Sequence, residues 1–497
     1  MGNITARQWL ILLCVQFTTI LFGLTATSVT VILPQLKGAL SATQEQISWV
    51  LTFNLVATAI ATPLTGWLAA KLGWRTLMAC SVVGFTAASM LCGLVQSLEA
   101  MLALRVVQGA FGAPIFPMGQ TILLASFTRS QHPFIIMMWG VGGVMGPILG
   151  PTFGGLVAEY MSWRWTFFLI LPLGTISLIA VLLALSDREK GTAQRFDYVG
   201  YVFIAIAIAA VQLVFDRGQR NDWFDSLEIV AECVIAALFA VMFAIHMATA
   251  RAPLFDVATF RDRNFSVGIG VALIMGMLQY TPMVLFPPLL QELLGYPDTA
   301  IGYLIAARGL GNLASFCVVA QLTRINARFC LFLGLAIQAF AGFQMASLDI
   351  NLTANDVMWT NIMHGFGFGL CYTPMAVLAF STMPGPLLTQ GNAIFALVRM
   401  LGSSFFISLT LVVFAHANAE AHVNLASGIT IFTQDLIAPW INAFGRTGGQ
   451  VEARLTAEIQ RQAAMIGYIN AFYLMTVVPL LTMPLAMLFV VRSRQRR

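Results

Sequence analysis

The amino-acid sequence predicts an all-α integral membrane protein with fourteen transmembrane helices. Hydrophobic residues make up 59% of the 497 residues, charged residues make up 9%, and the mean hydropathy is +0.83. An average soluble domain contains roughly 45–50% apolar and about 25% charged residues. Apolar stretches of about 20 residues, the length of helix that crosses a bilayer, recur along the whole chain. Open-edged strands do not cross lipid, so these stretches are expected to be helices.

The fourteen predicted spans follow one another with short polar gaps. Their centres lie near Val15, Ala57, Thr86, Ala113, Val144, Leu178, Ala207, Ala237, Leu273, Leu310, Leu335, Gly367, Phe406 and Val477. The first span is expected to be an uncleaved helix, because one positive charge precedes a long apolar run and no small-residue cleavage site follows it. The seven cysteines fall within predicted spans without a C-x-x-C pair, so neither a disulfide nor a metal site nor a cofactor is predicted.

The positions of lysine and arginine predict that both termini are cytoplasmic. With that orientation the cytoplasmic side carries sixteen of these residues and the opposite side seven. Three of the seven lie in the long extracytoplasmic loop 416–464, where charge has little influence on topology. The net charge of +5 is therefore attributed to topology, and no nucleic-acid partner is predicted.

The fifth predicted span contains the segment GVMGPILGPTFGG at residues 143–155. Its glycines recur every four residues, which places them on one face of a helix and lets a second helix approach closely. Its prolines remove backbone donors on the adjacent stripe and bend the helix. The predicted conformational residues are Gly146, Pro147, Gly150, Pro151, Gly154 and Gly155. A tight helix crossing without any further role is the alternative interpretation.

Three arginines lie within apolar sequence, namely Arg105, Arg308 and Arg399. A charged side chain at the centre of a membrane helix costs about 2.5–3.5 kcal/mol or more, so such residues are candidates for function. Arg105 lies one helical turn before Gln108, and both can therefore share a network. The alternative is that each arginine only binds carbonyls at helix ends or extends to the interface.

Several segments in the right order resemble motifs of the major facilitator superfamily. GWLAAKLGWR (66–75), LRVVQGAFGAPIFPMGQ (104–120) and GPILGPTFGG (146–155) resemble its loop, fourth-helix and fifth-helix motifs, and the last is associated with antiporters. WRWTFFLILPLG, FDYVGY, FDRGQRNDWFDS, FRDRNF and ARGLG resemble the fourteen-helix drug:proton antiporters of the EmrB/QacA type. The resemblance extends over about residues 9 to 490.

The resemblance implies a major facilitator fold with two six-helix halves and two inserted helices. The expected divisions are an N-terminal half at 1–190, inserted helices 7 and 8 at 191–262, and a C-terminal half at 263–497 that includes loop 416–464. In the loop motif, Gly66, Lys71, Gly73 and Arg75 are predicted conformational residues. KLGWR has a counterpart in RINAR (324–328), and Gly73 or Asn326 is expected to supply a left-handed turn. The alternative is that the basic residues only set topology.

The resemblance also implies a function in transport. We expect a secondary active multidrug exporter in the inner membrane, coupled to protons and capable of conferring antibiotic resistance. Arg105 occupies the position of the fourth-helix arginine that the family implicates in proton relay, and Arg308 and Arg399 occupy family-typical positions. A periplasmic membrane-fusion adaptor and an outer-membrane channel are possible partners implied by family, through the amphipathic segment 448–472, whose alternative is a structural cap. An uptake symporter or facilitator is the second hypothesis and a membrane scaffold the third; no catalytic motif supports an enzyme.

The first helix departs from the family pattern. LTATSVTVILP (24–34) has Thr25 where an aspartate is usual and Thr30 where an asparagine is usual. The remaining candidates for a titrating group are His364, Asp356 and Glu159, and a histidine titrates near neutral pH. With buried arginines and no central carboxylate, the cavity is expected to favour neutral or weakly acidic amphiphiles. The predicted proton and substrate pathway comprises Arg105, Gln108, Thr25, Thr30, His364, Arg308 and Arg399.

Overall fold

The computed structural model describes residues 4–42, 44–186, 196–219, 221–251, 253–428 and 448–490, and their regular secondary structure is entirely helical. The first six spans are α1 (Ala6–Ala39), α2 (Gln44–Ala61, then Thr65–Leu72), α3 (Trp74–Cys92), α4 (Leu98–Gly112, then Ile115–Ser126), α5 (His132–Tyr160) and α6 (Trp163–Phe168, then Ile170–Ala184). The breaks in α2 and α4 coincide with Pro63 and Pro114, which cannot donate a backbone hydrogen bond.

The remaining spans begin with an inserted pair, α7 (Tyr198–Arg217) and α8 (Leu227–Thr249). They are followed by α9 (Arg263–Pro288, ending in a π turn at Leu289–Leu293), α10 and α11 (the two parts of Asp298–Ala346), α12 (Ala354–Ala379), α13 (Leu388–Ser427) and α14 (Gly448–Leu488). Short helices at Trp223–Asp225, Ala258–Arg261 and Gly385–Leu387 lie in the connections.

The structure confirms the count of fourteen spans. By length and hydropathy, 12 helices in the described residues can cross a membrane, and one of them, Ala300–Ala346, contains two spans. The fourteenth is α5, which has 29 residues and carries no Asp, Glu, Lys or Arg before Glu159. Thirteen of the predicted span centres fall within one of these helices, and the other, Ala113, lies at the break between the two parts of α4.

The turn between α10 and α11 differs from the expectation. Asn326 has φ −153° and ψ 98°, so the predicted left-handed turn at this residue was wrong. Its Oδ1 instead accepts a hydrogen bond from Phe329 N at 3.1 Å and caps the start of α11. Gly73 does have the predicted positive φ, at +85°, between α2 and α3.

The same helix pairs pack in both six-helix groups. α1 crosses α5 at Gly146, as α9 crosses α13 at Gly402. α2 packs on α4 at Gly109, as α10 packs on α12 at Gly311. In the same way, α3 packs on α6 and α11 packs on α14. This repetition supports the division into halves that we propose at 1–190, 191–262 and 263–497; the first of these boundaries falls outside the described residues.

The inserted pair lies beside the contact between the halves. α7 packs against both α2 and α13, where the Tyr201 hydroxyl donates to Ile60 O at 3.3 Å and the rings of Phe215 and Phe405 are 5.4 Å apart. The halves themselves meet near the end of the bundle where α1 begins. There, Asn392 Nδ2 in α13 donates to Thr121 Oγ1 in α4 at 3.1 Å.

Helices α13 and α14 are longer than a bilayer requires. They have 40 and 41 residues and would each span about 60 Å, about twice the hydrocarbon thickness. They pack on each other through Phe414 and Tyr468, whose ring centroids are 4.6 Å apart. The described parts of the predicted loop 416–464 are therefore helical extensions, whereas residues 429–447 lie outside the described chain.

Candidate functional site

Arg105 is buried inside the N-terminal six-helix group. Its Nε donates to Val50 O in α2 at 3.1 Å, and its Nη1 donates to Gln108 Oε1. Gln108 Nε2 in turn donates to Ser89 Oγ in α3, and Asn54 Nδ2 donates to Arg105 O at 3.1 Å and Gln108 Oε1 at 3.3 Å. The arginine therefore ties together three helices of one half.

Arg105 lies inside the N-terminal half and not at the contact between the two halves. Only 2% of it is exposed, and its guanidinium carbon lies 5.8 Å from the Phe167 ring centroid in α6. The described hydrogen-bond partners of its side chain are a carbonyl and an amide, both neutral. This arrangement fits a residue that holds α2, α3 and α4 together.

Arg308 in α10 is bound by the backbone of α9. Its Nη2 donates to Leu278 O at 2.8 Å, and its Nη1 donates to Gln279 O. Pro282 lies four residues after Leu278 inside the helix and has no N–H. Leu278 O therefore lacks its usual helical partner and is free to accept from arginine.

Arg399 in α13 reaches the same residue of α9 from the other side. Its Nη1 donates to Gln279 Oε1 at 2.6 Å, so Gln279 contacts both arginines, one through its backbone and one through its side chain. The guanidinium carbon of Arg399 also lies 4.7 Å from the Phe116 ring centroid in α4. Arg399 is thus a direct contact between the two halves.

Aromatic rings complete the connection between these arginines. Phe116 lies 4.5 Å from Trp139, Trp139 lies 6.1 Å from Tyr372, and Tyr372 stacks on Phe368 at 5.9 Å, all measured between ring centroids. The guanidinium carbon of Arg308 is 5.3 Å from the Phe368 centroid. We call this closed set the central ring; its members are Phe116, Trp139, Gln279, Arg308, Phe368, Tyr372 and Arg399.

His364 lies in α12 next to the central ring. It is fully buried, and neither ring nitrogen has a hydrogen-bond partner among the described residues. Arg308 lies within electrostatic range of the imidazole, and Gly365, the next residue, packs directly on Arg308 O. The backbone carbonyl of His364 accepts a hydrogen bond from Gln338 Nε2 in α11 at 2.7 Å.

The described contacts do not join the two α1 threonines to these groups. Thr25 is buried, and its hydroxyl donates to Leu21 O at 2.7 Å. Thr30 is exposed, and its hydroxyl donates to Thr27 O at 2.6 Å. Asp356 is an N-cap partner of Thr353 at the start of α12, and the side chain of Glu159 lies outside the described part of the structure.

Comparison with protein families decides the identity of the fold. The model of the major facilitator superfamily matches residues 15–407, more than half of the chain. The chain belongs to the major facilitator superfamily. Members of this superfamily are transporters and not enzymes.

Curated relatives support the resemblance to the EmrB-like exporters. The multidrug export protein EmrB of Haemophilus influenzae is 29% identical over 94% of this chain and 92% of its own length. The EmrB of Escherichia coli K12 is 27% identical over 94% and 93%. The fatty acid resistance protein FarB of Neisseria gonorrhoeae is 28% identical over 94% and 92%. The chain is thus a major facilitator transporter related to multidrug and fatty acid exporters.

Solved structures support the fold alone. The human organic anion transporter MFSD10 has a TM-score of 0.61 and 13% identity, covering 97% of this chain and 100% of that one. The proton:xylose symporter XylE also has a TM-score of 0.61, with 11% identity, covering 96% and 97%. These two proteins share the major facilitator fold with this chain.

The fifth-helix motif of this major facilitator protein lies against α1. A Cβ added to Gly150 would lie 2.8 Å from Leu24 O and still closer to Thr27 Oγ1. A Cβ on Gly146 would lie 2.9 Å from Gly23 Cα, and one on Gly154 would lie 2.9 Å from Ser28 O. The three glycines therefore make the close crossing that their spacing predicts. The side chains of Pro147 and Pro151, and the surroundings of Gly155, lie outside the described structure.

The loop motif lies close to the contact between the halves. A Cβ on Gly66 would lie 3.5 Å from Gln390 Cα in α13, so α2 and α13 approach closely there. Lys71 Nζ lies 4.6 Å from the Trp67 ring centroid, and Arg75 is the second residue of α3, which begins directly after the Gly73 turn. The motif residues are thus near the point where the two halves touch.

Four aromatic residues and one amide of the central ring were not predicted from the sequence. Gln279 could have been identified as a candidate from the sequence, because a glutamine in an apolar run three residues before a proline is unusual. The indication for Trp139 was weaker: its indole nitrogen needs a hydrogen-bond acceptor inside the membrane. In the structure this nitrogen donates to Thr19 Oγ1 at 3.0 Å. Phe116, Phe368 and Tyr372 are indistinguishable from core residues in the sequence.

Proposed function

We propose that this major facilitator protein is a secondary active exporter of amphipathic small molecules that favours weakly acidic and neutral compounds. The observation that carries the proposal is the pair Arg308 and Arg399 at the contact between the halves. Among the described residues, neither forms an ion pair with a carboxylate. Two cations without a described counter-ion disfavour a cationic substrate and suit an anionic one.

The names of the relatives agree with this substrate class. Two of them are named for multidrug export and one for fatty acid resistance. A fatty acid combines a carboxylate with an apolar chain, which matches arginines surrounded by aromatic rings. The export direction is supported by the same relatives and by the fifth-helix motif; an uptake symporter of the same fold is the alternative.

We propose that His364 carries the coupling proton. A second cation on this imidazole would lie near Arg308 and would have no acceptor among the described residues, so protonation favours a rearranged state of the helices around it. A proton that is bound preferentially in one conformation can drive a conformational cycle. Arg105 and Gln108 are proposed to support this cycle by holding the N-terminal half together.

We further propose that the protein lies in the inner membrane with both termini in the cytoplasm. The helical extensions of α13 and α14 would then project into the periplasm. They offer a surface for a membrane-fusion adaptor and, through it, an outer-membrane channel. Removal of residues 416–464 with a short linker in their place should abolish resistance in cells and leave transport in vesicles intact.

The transport proposal is tested in inside-out membrane vesicles. An imposed proton gradient should drive uptake of radiolabelled decanoate into vesicles that contain the protein, and an uncoupler should stop it. Control vesicles without the protein correct for passive flux. Uptake into right-side-out vesicles, without uptake into inside-out ones, would identify an importer and contradict the proposal.

Proton coupling has its own variant. His364→Gln preserves the volume and polarity of the side chain but cannot titrate in this pH range. We expect gradient-driven uptake to fall about tenfold or more while decanoate-for-decanoate exchange continues, because exchange needs no net proton movement. Unchanged gradient-driven uptake would exclude His364 as the proton carrier.

A further inference from the structure

Resting on the proposed function, the geometry points to the substrate site itself: we propose that the carboxylate of an amphiphile binds between Arg308 and Arg399 at Gln279. Both guanidinium groups contact this one residue of α9. A carboxylate has two oxygens that can accept from two arginines at once. The apolar part of the ligand then lies among the aromatic members of the central ring.

Arg399 has a donor group that is available to bind an anion. It is 8% exposed, and its Nε has no hydrogen-bond partner among the described residues. The hydroxyl of Tyr372, also buried, has none among them either, and Arg399 lies within its electrostatic range. The carboxylate of a ligand can accept hydrogen bonds from Arg399 Nε and from the Tyr372 hydroxyl. No residue in the described part of the chain accepts from either group.

Arg308 is held by partners that an anion can replace. Its two acceptors are the backbone carbonyls of Leu278 and Gln279, which are neutral. Arginine binds a carboxylate more strongly than a neutral carbonyl, because the hydrogen bond is charge-assisted. Pro282 leaves Leu278 O without a helical partner, so this carbonyl is available to Arg308 and helps to position the guanidinium beside the site.

Access to this site depends on separation of the two halves. Phe116 and Trp139 belong to the N-terminal half, whereas Arg308, Arg399, Phe368 and Tyr372 belong to the C-terminal half. The rings of Phe116 and Trp139 cover Arg399 and Tyr372 at 4.7 Å and 6.1 Å, respectively. When the halves part, the guanidinium of Arg399 loses this cover and faces the opening, where a carboxylate can reach it.

The binding experiment uses the purified full-length protein in nanodiscs and three ligands with the same ten-carbon chain. Decanoate is anionic, decanol is neutral and decyltrimethylammonium is cationic. We expect Arg399→Gln and Arg308→Gln each to raise the Kd of decanoate about tenfold or more and that of decanol less than about threefold. Arg399→Lys should be intermediate, and Arg129→Gln, which removes an exposed charge from the α4–α5 loop, should change nothing.

A second variant keeps the test decisive if either arginine is needed for folding. Gln279→Glu is nearly isosteric and places a carboxylate between the two guanidinium groups. We expect it to weaken decanoate binding about tenfold and to strengthen decyltrimethylammonium binding. Equal losses for decanoate and decanol in the arginine variants, or no change of preference in Gln279→Glu, would overturn the assignment. Transport of decanoate by the wild type with unaltered preference in the variants would leave the exporter proposal standing and refute this site alone.

Discussion

The three membrane arginines differ in what surrounds their guanidinium groups. Arg105 binds Val50 and Gln108 within one half, and these contacts fix three helices relative to one another. Arg308 and Arg399 instead meet at Gln279 of α9, and Arg399 of α13 also contacts α4 of the N-terminal half through Phe116. The same residue type thus stabilises one half in the first case and lines the proposed substrate site in the second.

Replacement of Arg105 should therefore affect stability and transport together. Arg105→Ala removes the charged donor to Val50 O and to Gln108 Oε1, which keeps only its bond from Asn54 Nδ2, and a hydrogen bond to a charged group contributes about 1.5–3 kcal/mol. We expect a lower unfolding temperature and at least a tenfold loss of export. Arg105→Lys should restore part of both, because the ammonium can still donate. Full export by Arg105→Ala, measured at equal protein level, would contradict a central role for this residue.

The variant Thr25→Asp distinguishes two explanations of the preference for anionic over cationic substrates. If the missing first-helix aspartate sets the preference, Thr25→Asp should shift export from decanoate toward a quaternary ammonium dye. The Thr25 hydroxyl is buried and donates to Leu21 O, an acceptor that repels a carboxylate. We therefore expect Thr25→Asp to lower stability and to shift the preference less than Gln279→Glu does. A larger shift from Thr25→Asp, measured by competitive export of both compounds, would place the charge-selective point on α1.

At the scale of elements, the crossing of α5 and α1 is a tightly constrained contact within the N-terminal half. The backbones approach so closely at Gly150 that an added Cβ would meet Leu24 O at 2.8 Å. Gly150→Leu should abolish export, because the helices can no longer pack at this distance. Leu149→Ala, one position away on a half-buried face, is the matched control and should retain most activity. Similar transport rates for the two variants would show that the crossing is not required.

The helices were predictable because the bilayer imposes their length and composition. Hydropathy identified all fourteen spans, including α10 and α11, although Asn326 separates them by a capped break and not by the expected left-handed turn. The contact of Arg105 with Gln108 was also predictable, since it depends only on a spacing of three residues in one helix. Local sequence contains these relationships.

The central ring could not be predicted in the same way. Arg308 and Arg399 lie on helices far apart in sequence, and they meet only because both reach Gln279 on a third helix. Which residues meet across the two halves depends on how whole helices pack, and no periodicity within one helix encodes it. The sequence alone shows that the membrane arginines are energetically costly. It does not show which residues they contact.

At the scale of the whole molecule, the two halves are closed against each other at the end of the bundle where α1 begins. Asn392 of α13 donates to Thr121 of α4, and Gly66 of α2 lies against Gln390 of α13. Met137 of α5 packs with Val319 of α10 and Leu370 of α12 nearby. A ligand arriving from this side can reach the central ring only after these contacts separate.

A reversible cross-link tests whether that separation is part of the transport cycle. A hydrogen bond of 3.1 Å joins the side chains of Thr121 and Asn392, so cysteines at these two positions face each other across the halves, and we expect oxidation to join them in a disulfide. Oxidation of the double variant Thr121→Cys/Asn392→Cys should lower decanoate transport about tenfold or more, and dithiothreitol should restore it. The single variants contain the same native cysteines and should be insensitive to oxidation. Undiminished transport by the cross-linked protein would mean that substrate reaches the arginines without parting the halves, and the access route argued from the ring would then be wrong.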